Sequence, residues 1–204
     1  DASLAAYRRL LVEKPFVLWM RNSLVVTAVV TLASLACAAF AGYAFSRFAF
    51  RGRQTGLVGL LVTQMFPATM VILPLYVLMQ GLHLINTLWG LMIAYTATAL
   101  PFCVWTMKGY YDTIPVALEE AARIDGASQM GAFLRVTLPL AAPGLAVTAL
   151  FSFMAGWSEY MVARVIVNSS TLNTLPLGLA GLQSSFQTEW GTYAAGSLLV
   201  SAPA

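Results

Sequence analysis

Residues 54–107 contain no Asp, Glu, Lys or Arg, and residues 136–158 contain none either. A soluble core in a chain of 204 residues cannot hide that much uncharged sequence, whereas a bilayer takes up helices of roughly 20 apolar residues. Composition agrees: 59% of residues are hydrophobic and 9% charged, where ordinary soluble domains run at about 25% charged. The charge that exists is concentrated. Residues 108–135 hold seven of the 19 charged side chains, so the sequence reads as a membrane protein with one polar docking surface.

The net charge of +3 does not point to nucleic acid, because Lys and Arg form no stripe and sit instead at the ends of apolar runs. Cys37 and Cys103 lie inside apolar runs without CxxC or Cys/His spacing, which predicts packing residues and no metal or redox pair. No basic segment followed by an apolar stretch and a cleavage site opens the chain. Both ends read as cut, since the sequence starts at Asp1 and its last uncharged run is short for a crossing.

Five apolar segments follow, over residues 22–46, 55–80, 88–107, 137–161 and 191–204, the last truncated, together forming one membrane domain. Gly81, His83 and Asn86 supply the turn that divides the longest uncharged run. Pro67 and Pro74 predict kinks within the second segment, a distortion that membrane helices tolerate. Small residues in the first segment, among them Ala38, Ala41 and Gly42, permit close helix packing, so the segments form a bundle. Arg47, Arg51, Arg53, Lys108, Arg123 and Arg135 mark two connectors as cytosolic, against Arg164 alone in residues 81–87 and 162–190. The N-terminal Arg8, Arg9, Lys14 and Arg21 fall on the external side and oppose that assignment.

Within the cytosolic connector at 108–136, Pro115 and the run from Val116 to Ile124 predict a short helix, with Asp112 and Thr113 accepting its free amides. Gly126 ends it in a left-handed cap, and Ser128 caps a second helix through Arg135. Ala121 and Ala122 give one face a low profile suited to a partner's groove, and Glu120 offers a carboxylate to a basic partner residue. A helix resting on lipid headgroups is a poorer reading, because such helices favour Lys and Arg.

Glu120, Ala121, Ala122, Gly126, Val136, Leu138 and Pro139 stand at the spacing of the Glu-Ala-Ala signature, and the chain therefore resembles the permeases of ABC importers. Tyr43-Ala-Phe-Ser-Arg-Phe, Gln64-Met-Phe-Pro-Ala68, Val104-Trp-Thr-Met-Lys-Gly-Tyr110 and Trp190-Gly-Thr-Tyr-Ala-Ala narrow the likeness to the MalG-type subunits of maltose and maltodextrin importers. The resemblance implies an all-α, multi-pass permease of the type I importer kind in the bacterial inner membrane, lacking here the family's first helix and C-terminal tail. It implies that Glu119, Glu120, Ala121, Ala122, Asp125 and Gly126 form a coupling helix docked on a cytosolic ATP-binding subunit dimer. A companion permease, an extracytoplasmic sugar-binding protein and the bilayer complete the implied partners; no cofactor, metal or catalytic residue is implied.

Residues 162–190 are too rich in turn formers to span and too long for a tight link. By resemblance, Gln183, Ser184, Ser185, Phe186, Gln187, Thr188 and Glu189 occupy the position of a loop that enters the binding protein. His83 reads as a surface turn residue and Glu159 as an interfacial acid beside Trp157 and Tyr160. An enzyme is disfavoured because no GxSxG, HExxH or paired intramembrane Asp occurs. The main alternative is a secondary transporter or channel, which would want charged residues at mid-membrane.

Overall fold

The structure is a computed structural model that describes residues 5–183 and 190–201. Every regular element among them is helical. In chain order these are α1 (Ala5–Val12), α2 (Phe16–Arg47), α3 (Arg53–Met65), α4 (Ala68–Gly81), α5 (Leu88–Thr113) and α6 (Val116–Ile124). There follow α7 (Gln129–Ala132), a π turn at Phe133–Thr137, α8 (Leu138–Leu140) and α9 (Ala142–Ser158). The chain continues with α10 (Met161–Ile166), a 3-10 turn at Ser170–Leu172, α11 (Leu175–Ala180) and α12 (Trp190–Ser201). Helices α2 and α5 are each long and apolar enough to cross a bilayer alone. Among the described residues the number rises to as many as four when α3 with α4, and α7–α8 with α9, each count as one broken crossing.

Prolines set the breaks. The sequence predicts one kinked segment over 55–80, but the helix stops after Met65 and Phe66 is extended (φ −75°, ψ 131°), because the ring of Pro67 excludes the preceding residue from the α region. Pro74, by contrast, lies inside α4 and is carried through. The fourth predicted segment also differs from expectation at its start. Residues 129–140 lie at 73° to α9, with the break at Ala141 (φ −83°, ψ 5°). Just before Pro139 the helix is wound one residue wider, so that the Leu138 N–H donates to the Phe133 carbonyl. That winding makes room for a ring whose usual clash is with the carbonyl four residues back, here Arg135.

Contacts divide the chain into two compact units. One comprises Asp1–Val29, Ala68–Tyr95 and Met154–Ala204. In it α1, an element the sequence reading does not anticipate, packs against α12, and α10 packs against α4. The described part of the connector expected as an external loop carries α10 and α11. Leu175, Leu177 and Leu179 are buried, and the Asn22 amide donates to the carbonyls of Thr171 (2.9 Å) and Asn173 (3.0 Å). Ser23 Oγ accepts from the Leu175 N–H at 2.7 Å. Helix α4 ends with His83 at φ +56°, its N–H on the Gln80 carbonyl and that of Leu84 on Met79. A histidine thus fills the left-handed cap usually left to glycine.

The other unit comprises Val30–Pro67 and Thr96–Phe153. Its core gathers Ala38 and Tyr43 from α2, Cys103, Val104, Met107 and Tyr111 from α5, and Phe133 from the π turn. At Gly42 a Cβ would stand 2.9 Å from Met107 Cβ and 3.0 Å from the Lys108 nitrogen, so α2 and α5 touch through bare backbone. Met107 and Phe133 are fully buried there, and helices packed this closely in a bilayer are held by van der Waals contact rather than by transfer from water. This packing fixes the ends of α2 and α5, on which α6 sits.

Candidate functional site

Pro115 (φ −59°, ψ 128°) turns the chain out of α5 and stands at the N-cap of α6, one residue earlier than a first helical position. Asp112 and Thr113 do not cap this helix. Asp112 accepts from Ser46 Oγ at 2.7 Å and pairs with Lys108 one turn back, while the Thr113 hydroxyl donates to the Tyr110 carbonyl. At the other end Asp125 closes the helix and Gly126 takes φ +91°. The Ala127 N–H then reaches the Ala122 carbonyl (3.0 Å) and the Gly126 N–H that of Arg123 (3.1 Å). These two bonds satisfy carbonyls that every helix end otherwise leaves open. Ser128 begins the next turn by accepting the Gly131 N–H at 3.1 Å.

Of the residues expected to dock, Glu120, Ala121, Asp125 and Gly126 are exposed and Ala122 is half-buried. Glu119 stands apart from them. It is 6% exposed and turned into its own chain. One carboxylate oxygen accepts from Arg47 Nε at 2.7 Å and the other from the Tyr43 hydroxyl at 2.7 Å. Burial pushes the Glu119 carboxyl up, but these two hydrogen bonds and the guanidinium charge outweigh it and hold the group below the usual carboxylate value. The rings of Tyr111 and Phe133 stack around Tyr43, with centroids 5.9 Å and 4.4 Å away, which keeps water from the pair. Ionised Glu119 therefore nails α6 to α2.

The outward surface that results has an apolar point the sequence reading omits. Ile124 is 86% exposed and lines a groove with Glu120, Arg123, Ala127, Ser128 and Gln129. Its position ahead of the Asp-Gly turn is visible in the sequence. Among the described residues no group of His, Cys, Asp and Glu is arranged to hold a metal. Nothing in α6 supplies a nucleophile with a neighbouring base.

A second polar surface belongs to the connector after α9. Tyr160, Arg164, Asn168, Ser170, Asn173 and Gln183 line a cleft there. Its shape is set by Asn86, in the left-handed region at φ +56°, whose side-chain oxygen accepts from the Asn168 (3.1 Å) and Ser169 (2.9 Å) amides. Gln183 is exposed at its edge. Ser184, Ser185, Phe186, Gln187, Thr188 and Glu189 lie outside the described residues. Glu159 uses its carboxylate to accept the Val162 N–H at 3.0 Å, at the start of α10.

The family profile described as binding-protein-dependent transport system inner membrane component matches residues 34–203. The chain is 38% identical over 189 residues to the galactooligosaccharides transport system permease protein GanQ of Bacillus subtilis (strain 168), covering 92% of this chain and 67% of that protein. It is 35% identical over 202 residues to the maltodextrin transport system permease protein MdxG of the same organism, covering 98% and 73%. Among solved structures, a bacterial ABC transporter involved in the import of the acidic polysaccharide alginate aligns with a TM-score of 0.84 at 26% identity, over 99% of this chain and 75% of that one.

Proposed function

Because the chain belongs to the family of binding-protein-dependent transport system inner membrane components, and within it to the permeases of ABC sugar importers, we propose that it forms half of a translocation pathway driven by ATP hydrolysis on a separate subunit. It is a membrane-embedded transport component. Helix α6 is the coupling helix: Glu120, Ala121, Ala122, Asp125 and Gly126 seat in a cleft on a cytosolic ATP-binding subunit, with Ile124 as the apolar anchor between the charges. The single observation that carries this reading is that α6 and the turn after it present Glu120, Ala121, Asp125 and Gly126 to solvent while Glu119, behind them, is buried and paired. A surface meant only for lipid or water has no need of so firm a mount.

In the same reading residues 108–136 face the cytosol and 162–190 the outside of a bacterial inner membrane, and the chain pairs with a companion permease. Closure of the ATPase dimer displaces α6, and the spanning helices pass from inward-facing to outward-facing. Sugar arrives from an external binding protein that meets the stretch from Gln183 to Glu189. The substrate is a neutral oligosaccharide of the maltose and maltodextrin class. Support for that class comes from the motifs shared with MalG-type subunits and from the likeness to MdxG, and the likeness to GanQ makes galactooligosaccharides the competing set.

Two measurements test this. In the reconstituted importer, Glu120→Lys turns an attraction for a basic partner residue into a repulsion, and sugar uptake is lost with the permease still inserted. Uptake at the parental rate removes the coupling role. Binding-protein-dependent ATPase stimulation, compared across maltodextrins and galactooligosaccharides, identifies the cargo, and a response to galactooligosaccharides alone overturns the assignment to maltodextrins.

A further inference from the structure

Glu119 is part of a larger connected set than docking requires. Arg47, besides holding Glu119, donates from Nη2 to the Ile114 carbonyl at 2.8 Å, in the short link between α5 and α6. Its Nη1 donates to Ser46 Oγ at 3.0 Å, and that hydroxyl donates to Asp112, which Lys108 holds in turn. Three elements are therefore tied through side chains: α2 by Tyr43, Ser46 and Arg47, α5 by Lys108 and Asp112, and α6 by Glu119. Both oxygens of Glu119 are engaged by α2. Charged hydrogen bonds of this kind are short and directional, so they fix register as well as distance. An apolar contact of equal area resists separation but not sliding, since the hydrophobic effect has no direction.

Resting on the reading that α6 docks an ATPase, we propose that Glu119, Arg47 and Tyr43 are a strut that makes α6 and the C-terminal end of α2 one rigid piece. Force arriving at the exposed face of α6 passes into α2 through the Glu119 carboxylate. The three are positioning residues and touch neither nucleotide nor sugar. Without the strut α6 keeps the Ile114-Pro115 link, the Gly126 turn and its packing on α7 and the π turn, but loses its charged tie to α2 and swings under load instead of carrying that helix with it. Adjacent carboxylates then have separate duties: Glu120 recognises the partner, and Glu119 transmits what the partner does.

The test uses the assembled importer in proteoliposomes and reads two quantities, the ATP hydrolysed per sugar delivered and the ATPase recovered with the permease. Glu119→Gln keeps the ATPase at the parental level while ATP consumed per sugar rises at least tenfold, and Tyr43→Phe, which removes one hydrogen bond and keeps the ring, gives a smaller rise of the same kind. Arg47→Cys with Glu119→Cys, in a background lacking Cys37 and Cys103, is uncoupled until a short bifunctional thiol reagent bridges the pair, after which the ratio returns toward the parental value. Parental coupling in Glu119→Gln overturns the proposal. So does loss of the ATPase from Glu119→Gln when Glu120→Lys retains it, because Glu119 is then the docking contact, and so does a bridged pair that stays uncoupled. The docking reading fails separately if Glu120→Lys keeps both its ATPase and its uptake, whatever happens at position 119.

Discussion

Replacing Gly126 by alanine isolates the contribution of one backbone angle. The residue sits at φ +91°, and a Cβ built there meets nothing within 4 Å, so the substitution introduces no collision. Its whole cost is torsional, about 1–2 kcal/mol for an L side chain in the left-handed region. A loss of that size raises the opening of the turn by a factor of roughly 5–30. The opened turn gives up the Gly126 to Arg123 and Ala127 to Ala122 hydrogen bonds, which leaves the Ala122 and Arg123 carbonyls bare and the groove beside Ile124 unformed. Asparagine, whose side chain tolerates this conformation, costs less than alanine. Hydrogen exchange of a peptide covering residues 122–128, followed by mass spectrometry, therefore ranks the proteins glycine, asparagine, alanine from slowest to fastest, with ATPase affinity falling in the same order. Equal exchange in all three refutes the torsional account, and a loss of affinity that instead tracks side-chain size points to a steric contact with the partner.

Four further outcomes are expected. Single cysteines at Arg53 or Gln129, in a background without Cys37 and Cys103, are labelled only from the cytosol and those at Asn86 or Ser170 only from outside; the reverse pattern inverts the topology and leaves α6 unable to meet an ATPase. Gly178→Ala places a Cβ 2.2–2.6 Å from ring atoms of Trp19, an overpacking worth about 1–3 kcal/mol that lowers the thermal unfolding midpoint in detergent, and an unchanged midpoint contradicts the seating of α11. Glu119 has a depressed folded pKa, so its stabilisation is fully present above the unfolded value near ~4.3 and is lost as pH falls through the lower folded value. Unfolding midpoints of the parent and Glu119→Gln accordingly converge in acid, and a constant gap down to the lowest pH argues against an ionised pair. Deleting residues 184–188 abolishes stimulation of the ATPase by the binding protein but spares basal hydrolysis, and retained stimulation makes that stretch a passive cover.

What the sequence discloses and what it conceals differ by physical kind. Gly126 and Ser128 are legible because their roles are local: one angle that glycine takes cheaply, one hydroxyl within reach of an amide three residues on. Glu119 and Glu120 are indistinguishable by that standard. Which of two adjacent carboxylates turns inward depends on the rotation of α6 against α2, set by Arg47, 72 residues earlier. Asp112 misleads for the same reason, since Lys108 and Ser46 claim it before the amides of α6 can. Pro67 signals a disruption but not its degree, and whether a proline kinks a helix or ends it rests on what neighbours can do for the freed carbonyls. The short helices α1, α10 and α11 escape detection because eight residues or fewer carry little periodicity, and burial of Leu10 and Leu175 against distant segments decides them.

The sequence separation of the buried pair also sets a clock on synthesis. Arg47 is made 72 residues ahead of Glu119, and at about 5–20 residues per second a ribosome takes roughly 4–14 s to cover that distance. For those seconds the guanidinium at the end of α2 lacks the carboxylate that it holds in the folded chain. Helix α6 cannot settle until α2 and α5 have both arrived.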